Sequence, residues 1–418
     1  MQALPGFRDF LPQDCALRNY IFAHWREVSR RYGFVEYDGP LLEELDLFQR
    51  KSGEEIVKQL YDFTDKGGRT VALRPEMTPT LARIVAGAHR DFRKPMKWFC
   101  LPQMFRYERP QRGRLREHYQ YNCDIIGEAS VEADIELIAV CVDVLRAFGF
   151  TAQDVVVRIS DREFWVDFLR SQDVPEERWQ QLLEVIDKSE REPREKTAVR
   201  LGELAEPVFE IFDHGGKSEK LDQLVQGLRI RGLADFVAID LRIVRGLAYY
   251  TGVVFEAFDR GGKLRAIAGG GRYDNLIAQL SDGAVTLPAL GFAMGDVVLG
   301  ELIREYAAAR AQMETALQRD QLDLYVVIAK EERRADALAH VQRLRDAHYR
   351  VDYALTPTKV GKQFQNAEQL GAKAALLFGD EWPQVKVKDL ASRTEELVPH
   401  EELLAHLERL RSLSSRHR

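Results

Sequence analysis

Residues 105–120 read FRYERPQRGRLREHYQ, with five arginines and two glutamates set among aromatics. A guanidinium is a planar fork of donors that matches phosphate oxygens, so arginines at this density suggest a phosphate-bearing ligand. Pro110 and Gly113 break any continuous helix, and two short extended arms around a turn are expected instead. Alternation along the arms sets Phe105, Tyr107 and Leu115 toward a core and Arg106, Glu108, Arg114 and Arg116 toward the opposite side. That many guanidinium groups with few carboxylates beside them repel one another unless an anion lies on the face. The alternative is a hairpin whose charges simply face water.

Three further stretches carry chemistry. In IVRGLAYYTGVVFE, Arg245 lies among apolar residues just before Gly246, as at a strand end. It either faces a ligand or pairs with a local carboxylate such as Asp240. Tyr249 and Tyr250 are expected on opposite faces of a strand, as core packing or as readers of a polar ligand. AIAGGGRYDNLI has three consecutive glycines, 269–271, which either let a ligand approach the backbone or mark a bulge or close packing. It is neither a P-loop nor a GxGxxG turn. In VALRPEMTPTLARIV a strand ends at Arg74-Pro75 and a helix begins near Thr78-Pro79, so Glu76 sits on a strand-to-helix corner.

The elements that position these residues follow from periodicity. Residues 16–32 have helical spacing and stop at Gly33, and a short strand, FVEYDGP, follows. After the arginine-rich hairpin come an amphipathic helix, VEADIELIAVCVDVLRAFGF, and a strand, VVVRIS. Residues from about 162 to 235 are charged and helical in pattern, as in an insertion. Strands resume in FVAIDLRIV, YYTGVVFEAF and KLRAIAGG, and LPALGFAMGDVVLGELIREY runs from strand to helix. REYAAARAQMETALQRDQ is a charged helical stretch with the character of a connector. Beyond it LDLYVVI, VDYAL, AALLF and VKVKDL alternate with helical segments, which implies βαβ crossovers and a small α/β domain of roughly a hundred residues.

A chain of 418 residues has room for two or three domains, and 45% apolar, 30% charged and 10% aromatic residues are those of a soluble globular protein. Proline and charge in MQALPGFRDFLPQD precede any apolar run, and no stretch approaches the roughly 20 apolar residues of a membrane helix. A cytoplasmic location without membrane contact is expected. Cys15, Cys100, Cys123 and Cys141 make no CxxC pair and no metal-ligand spacing, so buried thiols in a reducing compartment are expected. A net charge of -6 argues against a general nucleic-acid coat but leaves a local basic patch open.

Taken in order, LRPEMTPTLAR, FRYERPQRGRLREHYQ with NCDIIG after it, IVRGLAYYTGVVFE, AGGGRYDNL and LPALGFAMG resemble the signature blocks of class II histidine–tRNA ligases and their histidine-sensing relatives. The resemblance covers nearly the whole chain. It implies an α+β fold: a class II antiparallel sheet flanked by helices, a helical insertion, and a C-terminal α/β anticodon-binding domain. The implied boundaries are 1–161 and 236–305 for the catalytic core, 162–235 for the insertion, 306–321 for a linker, 322–412 for the anticodon-binding domain and 413–418 for a tail. GPLLEELDLF resembles the first class II motif, which implies a homodimer.

The resemblance also implies roles. Arg106 and Arg245 would be catalytic, the first on the α-phosphate of ATP and the second across it, where other class II ligases place a metal ion. Glu108 would receive the adenine amino group, and Arg114 would join Arg106 on ATP. Glu76, Thr78 and Gln120 match ligands of the histidine amino group, and Asp124, Tyr250 and Tyr273 match positions around the imidazole. Arg245 and Tyr249 complete the implied histidine-binding set. Partners would be L-histidine, tRNA(His) and a second copy of the chain. ATP would be a substrate accompanied by Mg2+, with no tightly bound cofactor and no dedicated protein metal site.

Four positions depart from the family pattern. Val297 and Val298 stand where a Glu-Arg pair is usual, Ala248 where Asp is common, and Asp124 where Glu is common. Losing one preorganised cation typically costs about 2–4 kcal/mol. Arg112, Arg114 and Arg265 are candidates to replace it. Two other readings compete: a histidine-binding regulatory subunit of ATP phosphoribosyltransferase, and an adenylating enzyme acting on another carboxylate. Neither needs an anticodon reader at 322–412. The basic tail RLRSLSSRHR is expected to be a solvated helix end.

Overall fold

The strand Glu117–Ile126 organises the larger of two units, Met1–Met313 and Glu314–Arg418, in the computed structural model. The structure describes residues 2–50, 59–245, 249–319 and 321–416. Successive side chains of a strand point to opposite faces. On one face Tyr121 stacks on Trp25 at 5.6 Å and its hydroxyl lies 2.8 Å from Ser29 Oγ, both on the helix Pro12–Arg31. His118, Gln120, Asn122 and Asp124 occupy the other face and line a cavity.

The strand belongs to a nine-stranded sheet. Across it run Val35–Glu36, Met96–Cys100, Glu117–Ile126, Ala289–Gly295, Ala268–Arg272, Val253–Asp259, Val155–Asp161 and Val237–Ile239, with Gln103–Phe105 also paired to Glu117–Ile126. The internal pairings are antiparallel and the two outermost are parallel. Helix Val131–Ala147 packs on this sheet beneath Pro12–Arg31 and Glu219–Ile230, which explains its near-continuous apolar run. Each fully buried Leu, Ile or Val there contributes about 1.5–3 kcal/mol. Residues 162–230 form five α-helices, Arg162–Ser171, Glu176–Lys188, Arg194–Leu201, Ala205–His214 and Glu219–Ile230. Asp161 caps the first by accepting from Glu163 N at 3.1 Å.

Several expected elements are shorter or different. Of residues 236–244 only Val237–Ile239 is strand, and the strand expected from 249 starts at Val253. Tyr249 and Tyr250 therefore lie in a loop, with ring centroids 5.0 Å apart, rather than on two faces of a strand. A separate three-stranded sheet of Leu42–Glu44, Thr70–Leu73 and Tyr61–Thr64 leads into helix Thr78–Ala88, which starts at the corner expected from Pro79.

The smaller unit has a five-stranded sheet in the order Val351–Tyr353, Leu324–Ile328, Ala374–Phe378, Gln384–Asp389, Glu395–Pro399. The first three are parallel, as βαβ crossovers require, and the last two add antiparallel strands. Glu395–Pro399 escapes sequence reading because Val398 is its one buried residue, too weak an alternation to register.

Candidate active site

One cavity of about 940 Å³ collects the residues that the resemblance assigns to ATP or histidine: Arg106, Glu108 and Arg114; Glu76, Thr78, Gln120 and Asp124; Arg245, Tyr249, Tyr250 and Tyr273. Three structural devices bring them together. The period of Glu117–Ile126 sets Gln120 and Asp124 on its floor, the strand-to-helix corner projects Glu76 and Thr78, and the loop after Val237–Ile239 delivers Arg245 and the two tyrosines.

The floor is acidic and phenolic. Tyr273 donates its hydroxyl to Asp124 Oδ1 at 2.6 Å, and Tyr249 donates to Glu76 Oε2 at 3.2 Å. Gly291 on the neighbouring strand makes room: a Cβ there would lie 1.8 Å from Asp124 Oδ1. Burial pushes the Asp124 carboxyl up to about 7, against the pull of the Tyr273 hydrogen bond. Burial likewise raises the Tyr249, Tyr250 and Tyr273 phenols, so they stay protonated and act as donors.

Arg245 is held from several sides. Its backbone adopts φ +58°, a left-handed conformation that costs a non-glycine residue about 1–3 kcal/mol. Asp187 Oδ1, on helix Glu176–Lys188, accepts from the amides of Arg245 at 2.7 Å and Val244 at 3.3 Å, and Arg162 donates to the Arg245 carbonyl at 3.1 Å. The guanidinium donates to Glu256 Oε1 at 2.5 Å. The local carboxylate considered from sequence, Asp240, instead accepts from Arg242 N at 3.1 Å and lies 3.4 Å from Arg158. The glycine run also resolves: Ala268–Arg272 is a mid-sheet strand, and a Cβ at Gly269 would sit 1.8 Å from Arg245 Nη1. Gly269 is there so that the arginine can lie on the sheet.

The hairpin departs from simple alternation. Its ladder ends at Phe105 and Glu117, and the intervening residues form a loop closed by a Gln111–Arg114 bridge. Period two no longer applies, so Tyr107 is 56% exposed and Glu108 only 8%. Glu108 Oε2 lies 2.7 Å from Arg114 Nη1. Arg106 Nε donates to the Pro75 carbonyl at 2.9 Å, which ties it to the Glu76 corner. His118, beneath this cluster, is driven down to about 3 by burial and by Arg106, Arg8 and Arg114, so it is a neutral imidazole.

His118, Asn122, Asp187 and Glu256 were not foreseen. His118 and Asn122 follow from the alternation that places Gln120 and Asp124, whereas Asp187 and Glu256 lie far along the chain from any local signal. Val297 and Val298 line the cavity, and Ala248 lies outside the described residues. Among the described residues no group of three or more His, Cys, Asp or Glu side chains is arranged to hold a metal ion.

The histidyl-tRNA synthetase family model matches residues 6–214 and 201–296, and the anticodon binding domain model matches residues 323–410. The chain belongs to the histidyl-tRNA synthetase family. A histidine–tRNA ligase of Opitutus terrae is 45% identical over 97% of each chain. The chloroplastic/mitochondrial histidine–tRNA ligase of Arabidopsis thaliana is 40% identical, over 93% of this chain and 82% of the relative. Among solved structures, the histidyl-tRNA synthetase of Nostoc sp. PCC 7120 shares the fold with a TM-score of 0.80 at 23% identity, covering 98% of this chain and 99% of that one. An ATP phosphoribosyltransferase regulatory subunit/histidyl-tRNA synthetase from Bacillus halodurans aligns with a TM-score of 0.70 at 22% identity, covering 87% and 96%. The family's α+β fold, an antiparallel sheet with helices and a separate C-terminal anticodon-binding unit, is the architecture seen here.

Proposed function

We propose that this chain is an ATP-dependent histidine–tRNA ligase that forms histidyl-adenylate and passes the histidyl group to tRNA(His). The observation that carries the reading is one cavity with two chemical ends. Glu76, Tyr249, Asp124 and Tyr273 suit an ammonium and an imidazole; Arg106 and Arg245 suit phosphate oxygens. In the first step a histidine carboxylate oxygen attacks the α-phosphorus, the bond to the β-phosphate oxygen breaks, and pyrophosphate leaves. Arg106 and Arg245 stabilise the charge that builds on the α-phosphate oxygens. Glu108 receives the adenine amino group and Arg114 holds both Glu108 and the nucleotide. In the second step a terminal ribose hydroxyl of the tRNA attacks the activated carbonyl and AMP leaves.

Glu76, Thr78 and Gln120 bind the amino group of histidine, with Tyr249 beside Glu76, and Asp124, Tyr250 and Tyr273 surround the imidazole. Buried partners for both ring nitrogens exclude residues that lack them, since those partners would be left unpaired. Mg2+ enters with ATP as a substrate ion. Residues 323–410 read the tRNA, and the chain works in the cytoplasm; among the described residues no helix is long and apolar enough to cross a membrane. Leu41, Leu42 and Phe63, on and beside the three-stranded sheet, are exposed, and a second copy of the chain covers them. The histidine-binding regulatory reading has less support, because residues 323–410 match the anticodon binding domain and the ligase relatives cover 97% and 93% of this chain. The test is charging of total tRNA with each of the amino acids separately: histidine alone is expected to be esterified. Charging with another amino acid, or with none, overturns the proposal.

A further inference from the structure

The cavity is lined by Arg106, Arg114, Arg158, Arg191, Arg245 and Arg265, and their partners divide them. Arg114 lies 2.7 Å from Glu108, Arg158 2.8 Å from Glu190, and Arg245 2.5 Å from Glu256. Arg191 follows Glu190, and its charge acts on Glu256 at the Arg245 side. Arg106 and Arg265 face neutral oxygens instead: Arg106 Nε donates to the Pro75 carbonyl at 2.9 Å, and Arg265 Nη2 donates to Gln111 Oε1 at 2.6 Å. Among the described residues neither Arg106 nor Arg265 makes an ion pair with a carboxylate. A ligand with several negative charges gains most from cations that no carboxylate has already neutralised.

The two cations sit at different ends of the hairpin loop. Arg106 is tied through the Pro75 carbonyl to the corner that carries Glu76, where the α-phosphate would meet the amino acid. Arg265, on the loop between Val253–Asp259 and Ala268–Arg272, reaches the loop tip at Gln111. The next two residues of that tip are fixed to helix Asp296–Glu305, where Glu301 accepts from Arg112 Nε at 3.0 Å and from Gly113 N at 3.1 Å. Arg112 is thereby paired with a carboxylate, 69% exposed, and outside the cavity lining. The wall beneath is apolar: a Cβ on Gly113 would lie 3.3 Å from Val298 Cγ2, so valine packs directly under the tip. That wall offers no charge to a phosphate.

We infer that Arg265 binds the β- and γ-phosphates of ATP, and the pyrophosphate they become, as the cation that the Val297–Val298 wall does not supply. The inference rests on the ligase reading for the identity of the nucleotide. It separates Arg265 from the other two candidates, since Arg112 and Arg114 are each paired with a glutamate.

The test compares wild type, Arg265→Ala and Arg265→Lys in direct binding of ATP, pyrophosphate and AMP, with heat-unfolding midpoints as a check on folding. Arg265→Ala is expected to weaken ATP and pyrophosphate about ten- to a hundredfold while AMP and histidine change less than about twofold. Arg265→Lys keeps the charge without the fork and recovers part of the loss. Unchanged ATP binding, or AMP weakened as much as ATP, overturns the inference. A wild-type protein that binds ATP yet shows no histidine-dependent exchange counts against the ligase reading alone, and the ATP-to-AMP comparison still decides Arg265.

Discussion

At the scale of single residues, the role proposed for Asp124 would turn burial into specificity. With one methylene fewer than glutamate it fits above Gly291, takes the Tyr273 hydroxyl, and holds its proton up to about 7. The folded state therefore binds a proton that the unfolded chain, near 3.8, has already lost, so ligand-free stability falls as pH rises from about 4 through 7. Free histidine has an imidazole near 6.5, and in the proposed complex Asp124 and the imidazole share one proton. Below about 6.5 binding must release a proton, and above about 7 it must take one up. Histidine affinity measured by calorimetry from pH 5 to 8 is expected to peak near neutrality and to fall toward about tenfold per unit on each side. Asp124→Asn keeps an acceptor but cannot titrate, so it should abolish the alkaline limb and leave the acidic one. An alkaline limb that survives the substitution contradicts the assignment.

At the scale of elements, the helices of residues 162–230 do more than decorate the sheet. Helix Glu176–Lys188 sends Asp187 to the amides of Val244 and Arg245, and so stabilises the left-handed turn that aims Arg245 over Gly269. Asp187→Ala is expected to lower histidine-dependent exchange about tenfold or more through kcat, the scale of one lost half-buried charged hydrogen bond. The same substitution made in an Arg245→Ala background should cost little further, because Asp187 acts through Arg245. An equal loss in both backgrounds would mean a general structural role. The element scale also separates what was legible in the sequence from what was not. Gln120 and Asp124 on one strand face, and Glu76 on a proline-marked corner, follow from period and turn chemistry. The buried Glu108, the paired positions of Tyr249 and Tyr250, and the Glu256 partner of Arg245 do not, because a loop has no period and a distant partner leaves no local trace.

At the scale of the whole molecule, family membership joins a catalytic unit to an anticodon-binding unit, and the boundary falls inside helix Ala307–Arg319, in the stretch whose sequence pattern is that of a helical connector. A homodimer through the region of Leu41, Leu42 and Phe63 has a simple check. Leu42→Glu places a charge in that contact, and sedimentation should find monomers where the wild type is dimeric. A wild type that sediments as a monomer, or a variant that stays dimeric, contradicts this interface. The most direct measurement remains histidine-dependent ATP–pyrophosphate exchange by the purified protein, with Arg245→Ala beside it. Robust exchange in the wild type, lowered about 10²- to 10³-fold in the variant, is the expected result. No exchange in the wild type, with histidine still bound tightly, would show a histidine sensor with a ligase's shape and would contradict the function proposed here.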